Sequence, residues 1–127
     1  NIEDYKIHKE WVTISKKTLD NLQKAKAAGK RIISVGTTST RTLEAIFSKK
    51  TKWQSGFNDY VDIYIYPGYK FKFIDAMITN FHLPKSSLIM LVSALIGRST
   101  TMSLYKLAIK LKYRFFSFGD GMFLTLK

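Results

Sequence analysis

A short run of β-branched residues that ends at a glycine and leads directly into a helix constrains the fold of this chain most. Residues 31–35, Arg-Ile-Ile-Ser-Val, predict a buried strand that ends at Gly36. Four hydroxyl residues follow, and residues 42–47 predict a helix. Another helix is predicted upstream, between Ser15 as N-cap and Gly29 as C-cap, because apolar residues recur there at helical spacing. Helix, strand, glycine turn and helix in this order predict an α/β fold.

The remaining segments add further strands and helices to the pattern. Strands are predicted where side chains alternate or are β-branched and aromatic, at residues 5–14, 61–66, 70–74 and 122–126. The second and third of these flank a Pro-Gly turn signal, so we expect them to pair with each other. Helices are predicted at 86–96 and 102–113. The whole chain, residues 1–127, is therefore expected to form a single α/β domain.

The composition excludes several classes of protein and site. Apolar residues make up 46% of the chain and charged residues 24%, which argues against disorder. Cysteine is absent, which excludes disulfides, thiolate metal sites and a cysteine nucleophile. His8 and His82 are the two histidines, so a multi-histidine metal site is not expected. The longest apolar stretch, residues 87–97, is about half of the roughly 20 residues that a spanning helix needs. The first residues are polar and acidic, unlike a signal peptide, and no membrane partner is expected.

The chain carries a strong excess of positive charge. Lysine and arginine number 21 against 9 acidic residues, for a formal net charge of +12. Such an excess attracts polyanions, because phosphate contacts release counterions. Aromatic residues lie among the basic clusters, a combination that suits RNA, whose unpaired bases stack on rings. A solvated lysine-rich surface over an aromatic core explains the same composition, so both interpretations stay open.

The first candidate site is the segment Val-Gly-Thr-Thr-Ser-Thr-Arg at residues 35–41. Free backbone N–H groups and the helix dipole favour an anion where a strand runs through glycine into a helix. The hydroxyls add donors, and Arg41 can grip a carboxylate or phosphate in a bidentate way. The segment matches neither the Walker nor the dinucleotide pattern, and a well-capped helix after a turn is the alternative.

The second candidate site contains Asp75, Thr79, Asn80 and His82 within ten residues. Asp75 and His82 are predicted to divide general acid–base work, since histidine titrates near neutrality. The alternative for His82 is a structural hydrogen bond near a helix start.

The third candidate site is residues 115–121, Phe-Phe-Ser-Phe-Gly-Asp-Gly, where three rings precede two glycines. The rings are suited to stacking on a purine, and equally to a place in the core. Asp120, between Gly119 and Gly121, is placed to keep a tight backbone or to accept a hydrogen bond from a ligand.

Four stretches of this chain resemble one known enzyme family. They are VGTTSTRTLE at 35–44, YPGYKFKFIDAMITNFHLPKSSLIMLVSA at 66–94, YRFFSFGDGM at 113–122 and HKEWVTIS at 8–15. In their order along the chain they resemble the S-adenosylmethionine:tRNA ribosyltransferase-isomerases of queuosine biosynthesis, the QueA family. Motifs of this length are specific.

The resemblance implies a reaction that the residues alone do not. Family members transfer the ribosyl part of S-adenosylmethionine to 7-aminomethyl-7-deazaguanine at the wobble position of tRNA and isomerise it. The products are epoxyqueuosine, adenine and methionine. S-adenosylmethionine is then a consumed substrate, with no metal or other cofactor expected. The family enzymes are cytoplasmic, and a monomer is expected.

The resemblance also implies a place in the family fold, an α/β domain that carries an inserted β-barrel. This chain resembles the C-terminal part of that α/β domain, without the barrel. It is thus expected to be part of a longer enzyme. A non-catalytic basic RNA-binding α/β module derived from the family is the alternative function.

Site residues follow from the motif positions. Asp75 or His82 is expected to serve as acid or base, and Asn80 to orient substrate. Segment 37–41 is expected to hold a carboxylate, a ribose hydroxyl or an RNA phosphate. The predicted substrate-binding residues are Gly36, Thr37, Thr38, Ser39, Arg41, Tyr66, Asn80, Phe118, Gly119 and Asp120. The predicted contacts to the tRNA backbone are Lys106, Lys110 and Arg114.

Overall fold

The computed structural model describes residues 9–49, 55–82, 86–115 and 119–126. In chain order the elements are β1 (Glu10–Ile14), α1 (Lys16–Ala27), β2 (Ile33–Val35), α2 (Thr37–Ser48), β3 (Phe57–Val61), β4 (Ala76–Asn80), α3 (Ser87–Ile96), α4 (Arg98–Lys110) and β5 (Gly121–Thr125).

A three-stranded sheet organises the molecule. Its strand order is β2-β4-β5, with β2 parallel to β4 and β5 antiparallel to β4. The parallel connection from β2 to β4 includes α2, as a crossover between parallel strands requires. The α/β class predicted from the sequence is therefore confirmed. Strands β1 and β3 pair antiparallel in a separate two-stranded sheet.

The hydrophobic core lies on one face of the three-stranded sheet. Met77 of β4 and Leu124 of β5 enter it, and Leu91 and Leu95 of α3 meet them there. Helices α1, α2 and α4 pack against the same cluster, so their apolar stripes are buried together. Their contributions are Leu22 and Ala25, Leu43 and Phe47, and Leu104, Tyr105 and Ala108.

Helices α2 and α4 both begin four or five residues earlier than their sequences predict, for the same reason. Each follows a glycine at positive φ, Gly36 at 94° and Gly97 at 92°. In each, the threonine four residues on donates its hydroxyl to that glycine's carbonyl, Thr40 at 3.0 Å and Thr101 at 2.7 Å. The backbone N–H of the same threonine donates to that carbonyl as well, at 3.2 Å from Thr40 and 3.0 Å from Thr101, so the first turn closes although its residues have low helix propensity.

The prediction that residues 61–66 and 70–74 form a paired hairpin is wrong. The strand in this region is β3, and its partner is β1 rather than the segment after the turn. Residues 70–74 lie outside any strand. The backbone N–H groups of Lys72, Phe73 and Ile74 donate to the buried carboxylate of Glu44 instead of to a neighbouring strand. Alternation of side chains indicates an extended segment, but it does not identify the hydrogen-bond partner.

No single helix of the described chain is long and apolar enough to cross a membrane. Taken together, α3 and α4 have the length and apolar composition of a membrane span, but the two helices are bent by 115° relative to each other.

Candidate functional site

An open cavity of about 530 Å³ lies where β2 and β4 end and α2 and β5 begin. Ligands in open α/β sheets bind outside the carboxyl ends of parallel strands, and this cavity occupies that position. Its lining residues are Val35, Gly36, Thr37, Thr38, Ser39, Ile78, Thr79, Asn80, Gly119, Asp120 and Gly121.

The start of α2 forms one wall of the cavity. Gly36 is the N-cap and provides no side-chain cap, and the first turn contains no acidic residue. The first N–H groups of a helix have no partner within the helix, and the dipole places partial positive charge there. This wall is therefore suited to an anionic or hydrogen-bond-accepting group.

The structure brings most of the predicted substrate-binding residues together. The seven at the cavity are Gly36, Thr37, Thr38, Ser39, Asn80, Gly119 and Asp120. They come from three separate parts of the sequence, and their convergence follows from the pairing of β4 with both β2 and β5. Phe118, also predicted, lies outside the described residues.

Arg41 is not among the residues that line the cavity. It is 9% exposed, and one of its terminal nitrogens forms an ion pair with Glu10 of β1. The same carboxylate accepts a hydrogen bond from the Thr38 hydroxyl at 3.0 Å. Glu10 therefore ties the start of α2 to β1. The Arg41 guanidinium, which the sequence predicted to bind a ligand in a bidentate way, pairs with this carboxylate instead.

Asp75 lies at the opposite end of β4 from the cavity. Its carboxylate accepts the Ile32 N–H at 2.7 Å and pairs with Lys26 at 3.2 Å. Burial alone would raise the pKa of Asp75, but the hydrogen bonds from Ile32 and Lys26 and the charges of Lys26 and Arg31 lower it. The five residues of β4, about 16 Å of chain, and Phe81 separate Asp75 from His82, so the two predicted acid–base residues are not brought together.

These contacts predict a pH-dependent contribution of Asp75 to stability. Its pKa is lower in the folded chain than in the unfolded chain, so its stabilising effect is complete above the ordinary value of 3.8. The effect is lost as pH falls through the lowered pKa. We expect Asp75→Asn to be less stable than the wild type at neutral pH, with the difference shrinking below about pH 4. Urea unfolding at several pH values measures this, and a constant difference would contradict it.

His82 is buried directly behind the cavity wall. Its Nε2 lies 3.0 Å from the hydroxyl of Thr79, a residue that lines the cavity, and its backbone N–H donates to the Tyr105 hydroxyl at 3.0 Å. Burial lowers the pKa of the imidazole below its ordinary 6.5. His82 itself is 7% exposed and is not among the lining residues, so it reaches the cavity through Thr79.

The buried imidazole also predicts a loss of stability in weak acid. The unfolded chain binds a proton at His82 more readily than the folded chain does, so stability falls as pH drops through about 6.5. We expect His82→Gln to flatten this part of the stability–pH curve. Thermal unfolding between about pH 7.5 and pH 5 tests it, and curves of equal slope for the two proteins would be the contrary result.

The remaining predicted residues lie outside the cavity. Tyr66 is 36% exposed, and its ring centroid lies 5.3 Å from that of Tyr64. Arg114 donates its backbone N–H to the Asp120 carboxylate at 2.5 Å, and its Nε lies 3.5 Å from the same oxygen. Lys106 and Lys110 are exposed one turn apart on α4. Arg114 is thus engaged beside the cavity, whereas the two lysines face solvent.

Glu44 is a residue that the sequence patterns did not indicate. It is 0% exposed, and its carboxylate accepts the N–H groups of Lys72, Phe73 and Ile74 at 2.8–2.9 Å. The Tyr69 hydroxyl also donates to it at 3.0 Å. Burial, the negative charge of Glu44 and this hydrogen bond raise the pKa of Tyr69. The one signal in the sequence for Glu44 is that it is an acidic residue inside the apolar run of α2.

The described residues contain no group of three or more histidine, aspartate or glutamate side chains that could hold a metal ion. The expected absence of a metal in the reaction stays a prediction.

Comparisons with known proteins agree with the resemblance seen in the motifs. The family model of queuosine biosynthesis proteins matches residues 1–124. An S-adenosylmethionine:tRNA ribosyltransferase-isomerase of Clostridium kluyveri is 57% identical over 126 residues, which are 98% of this chain and 36% of the relative. A protein of the same name from Halothermothrix orenii is 53% identical over 122 residues, 96% of this chain and 36% of the relative. This chain spans about a third of the length of these curated relatives.

The fold agrees with a solved structure as well. A crystal structure of S-adenosylmethionine tRNA ribosyltransferase from Thermotoga maritima superimposes with a TM-score of 0.82 and is 44% identical in sequence. The match covers 89% of this chain and 39% of that one, as expected for part of the family's α/β domain. The motifs, the fold and the match over residues 1–124 lead to one conclusion: this chain belongs to the queuosine biosynthesis protein family.

Proposed function

We propose that this chain forms the substrate-binding α/β portion of a tRNA-modifying transferase-isomerase in queuosine biosynthesis. The enzyme would transfer and isomerise the ribosyl part of S-adenosylmethionine onto 7-aminomethyl-7-deazaguanine at the tRNA wobble position. Epoxyqueuosine, adenine and methionine would be the products, without a metal. The enzyme would act as a monomer in the cytoplasm. S-adenosylmethionine would be a substrate that the reaction consumes. The relatives are named S-adenosylmethionine:tRNA ribosyltransferase-isomerase and S-adenosylmethionine tRNA ribosyltransferase, which supports the substrate and the reaction class.

One observation about the site carries the proposal. Three motifs of the family resemblance, separated in sequence, supply the walls of a single cavity. The start of α2 offers N–H groups and hydroxyls for the methionine carboxylate, a ribose hydroxyl or an RNA phosphate. Asn80 at the end of β4 and Asp120 just before β5 offer an amide and a carboxylate for the edge of a base.

The chemistry needs a base and an acid near the substrate. A sulfonium acidifies the adjacent ribose C–H, and adenine leaves more easily when it is protonated. Of the two predicted residues we favour His82 over Asp75, because His82 contacts Thr79 at the cavity and Asp75 lies at the far end of β4. His82 would then act through the Thr79 hydroxyl as a positioning residue.

The reaction product tests the proposal directly. An anticodon stem-loop that carries the deazaguanine precursor is incubated with S-adenosylmethionine and this chain, and the digest is examined by mass spectrometry. We expect epoxyqueuosine and free adenine if the catalytic groups lie within these residues. Absence of product, with the Clostridium kluyveri relative active in parallel, would mean that essential groups come from the part of the relative outside the match.

A non-catalytic RNA-binding role is favoured by a different observation. The net charge is +12, and Lys106 and Lys110 are exposed one turn apart on α4. We expect affinity for an unmodified anticodon stem-loop to fall with rising salt, and Lys106→Gln with Lys110→Gln to reduce that slope by about two. The matched control is Lys24→Gln on α1. An unchanged dependence of affinity on salt in the double variant would exclude these lysines as contacts to the RNA backbone.

Binding of S-adenosylmethionine separates the two functions, because an enzyme of this family would bind it and a plain RNA-binding module would not.

A further inference from the structure

The side chain of Arg114 lies beside the cavity, and a glycine makes room for it. Gly119 lines the cavity and has φ of 140°, a backbone conformation that glycine adopts more readily than any other residue. A Cβ added at Gly119 would lie 2.8 Å from both Cζ and Nη2 of Arg114. The guanidinium therefore packs against the backbone of a residue that lines the cavity.

Asp120, which also lines the cavity, holds the same arginine. Its Oδ2 accepts the backbone N–H of Arg114 at 2.5 Å and lies 3.5 Å from Nε. Within the described residues, the two terminal nitrogens of the guanidinium have no hydrogen-bond partner. These nitrogens carry four N–H donors in a planar fork. Asp120 and Gly119 thus fix the position of the guanidinium and leave its fork free for a ligand.

The free fork is suited to a phosphodiester. A guanidinium pairs with two oxygens of a phosphate or a carboxylate in a bidentate way. The side chain of Arg114 is 68% exposed and is not among the residues that line the cavity, so its ligand lies outside the cavity wall. Lys110 and Lys112 are exposed and precede Arg114 by four and two residues. Such a series of cations suits the successive phosphates of RNA better than one carboxylate.

We propose that Arg114 binds the phosphodiester next to the nucleotide that enters the cavity, and that Gly119 and Asp120 are positioning residues for its guanidinium. This inference rests on the proposed function, which supplies RNA as partner and the cavity as the place of the target base. A contact to one defined phosphate sets the register of the RNA on the protein. Arg114 would thereby hold the target nucleotide at the cavity, whereas exposed lysines add affinity without fixing a position.

The salt dependence of RNA binding measures the contact. In this chain, Arg114→Gln is expected to lower affinity for an unmodified anticodon stem-loop about fivefold at about 0.1 M salt, and to reduce the slope of log affinity against log salt by about 0.7. Arg98→Gln is the matched control, because it makes the same change at an exposed arginine on α4 that does not line the cavity. We expect a smaller loss from the control. Equal losses in the two variants would overturn the proposal.

The position of the phosphate is tested in the RNA. Stem-loops are prepared with one uncharged methylphosphonate, either on one side of the wobble nucleotide or in the stem. At one of the two flanking positions, we expect the substitution to weaken binding by the unsubstituted chain about fivefold and to cause no further loss in Arg114→Gln. The stem substitution should affect both proteins equally. Losses that add to that of Arg114→Gln at both flanking positions would overturn the proposal.

Gly119→Ala tests the positioning of the guanidinium without a change of charge. The added Cβ displaces the guanidinium, so we expect stem-loop affinity to fall about threefold or more although the net charge stays at +12. Gly68→Ala, at φ of 103° and outside the cavity, is the control for backbone strain and should keep the affinity of the unsubstituted chain. Circular dichroism checks that both variants fold. Unchanged affinity in Gly119→Ala would overturn the positioning role.

Two further outcomes separate this inference from the proposed function. Arg114→Gln with reduced affinity for S-adenosylmethionine and unchanged affinity for the stem-loop would overturn the inference in favour of the methionine carboxylate, and would leave the proposed function in place. Absence of stem-loop binding by the unsubstituted chain would contradict RNA as the partner, and the inference would fall with it.

Discussion

Glu44→Leu is expected to lower the free energy of unfolding by roughly 3–5 kcal/mol. The substitution removes the acceptor of the Lys72, Phe73 and Ile74 N–H groups and leaves these donors without their partner. Each unsatisfied buried donor costs about 1–3 kcal/mol, and part of that cost is recovered when the segment relaxes towards water. Urea unfolding followed by circular dichroism measures the change.

Two variants provide the scale for this effect. Tyr69→Phe removes one hydrogen bond to Glu44 and is expected to cost about 1 kcal/mol. Glu44→Gln keeps one acceptor oxygen, so its loss of unfolding free energy should lie between those of Tyr69→Phe and Glu44→Leu. A loss for Glu44→Leu no larger than that for Tyr69→Phe would show that the three N–H groups do not depend on the carboxylate.

Gly36→Ala is expected to weaken S-adenosylmethionine binding at least about tenfold, or 1.4 kcal/mol. Gly36 lines the cavity at the start of α2, with φ of 94° and open space around the position of an added Cβ. A methyl group there strains the left-handed backbone by about 1–2 kcal/mol and occupies the space beside the first N–H groups of the helix. Calorimetric titration with S-adenosylmethionine measures the effect in a chimaera, in which this chain replaces the matching 126 residues of the Clostridium kluyveri relative.

Gly68→Ala separates backbone strain from loss of the site. Gly68 has φ of 103° and equally open surroundings, but it lies in the turn closed by Tyr66 and Tyr69, outside the cavity. Both alanine variants should lose similar unfolding free energy, and only Gly36→Ala should lose affinity. An equal loss of affinity in the two would assign the effect to strain rather than to the cavity.

Local patterns predicted the elements whose formation depends on neighbouring residues. Ser15 caps α1 by accepting the Thr18 N–H, as its residue type indicated. The apolar run from residue 86 forms α3, and the run near the end forms β5. The predicted starts of α2 and α4 were too late, because each helix closes its first turn on a glycine carbonyl although the residues of that turn have low helix propensity.

The residues of the cavity were partly predicted from the sequence, as separate candidate sites, but their convergence was not. Loops that follow the carboxyl ends of neighbouring parallel strands meet at one edge of a sheet, so the pairing of β2 with β4 brings segment 36–39 and Asn80 together. Ile78 was not part of any candidate site predicted from the sequence, and the pairing of β4 places it at the cavity.

The sequence by itself determined the α/β class, most helix boundaries, the family and seven residues of the cavity. The tertiary structure alone decided that Arg41 pairs with Glu10, that Asp75 pairs with Lys26 at the far end of β4, and that Glu44 holds residues 72–74. The physical reason is the range of the interactions. Helix caps and apolar stripes depend on residues within about four positions, whereas the partners of these charged groups lie 28 to 49 residues away. Which polar side chains remain free for a ligand therefore follows from the folded chain and not from the spacing of residues along it.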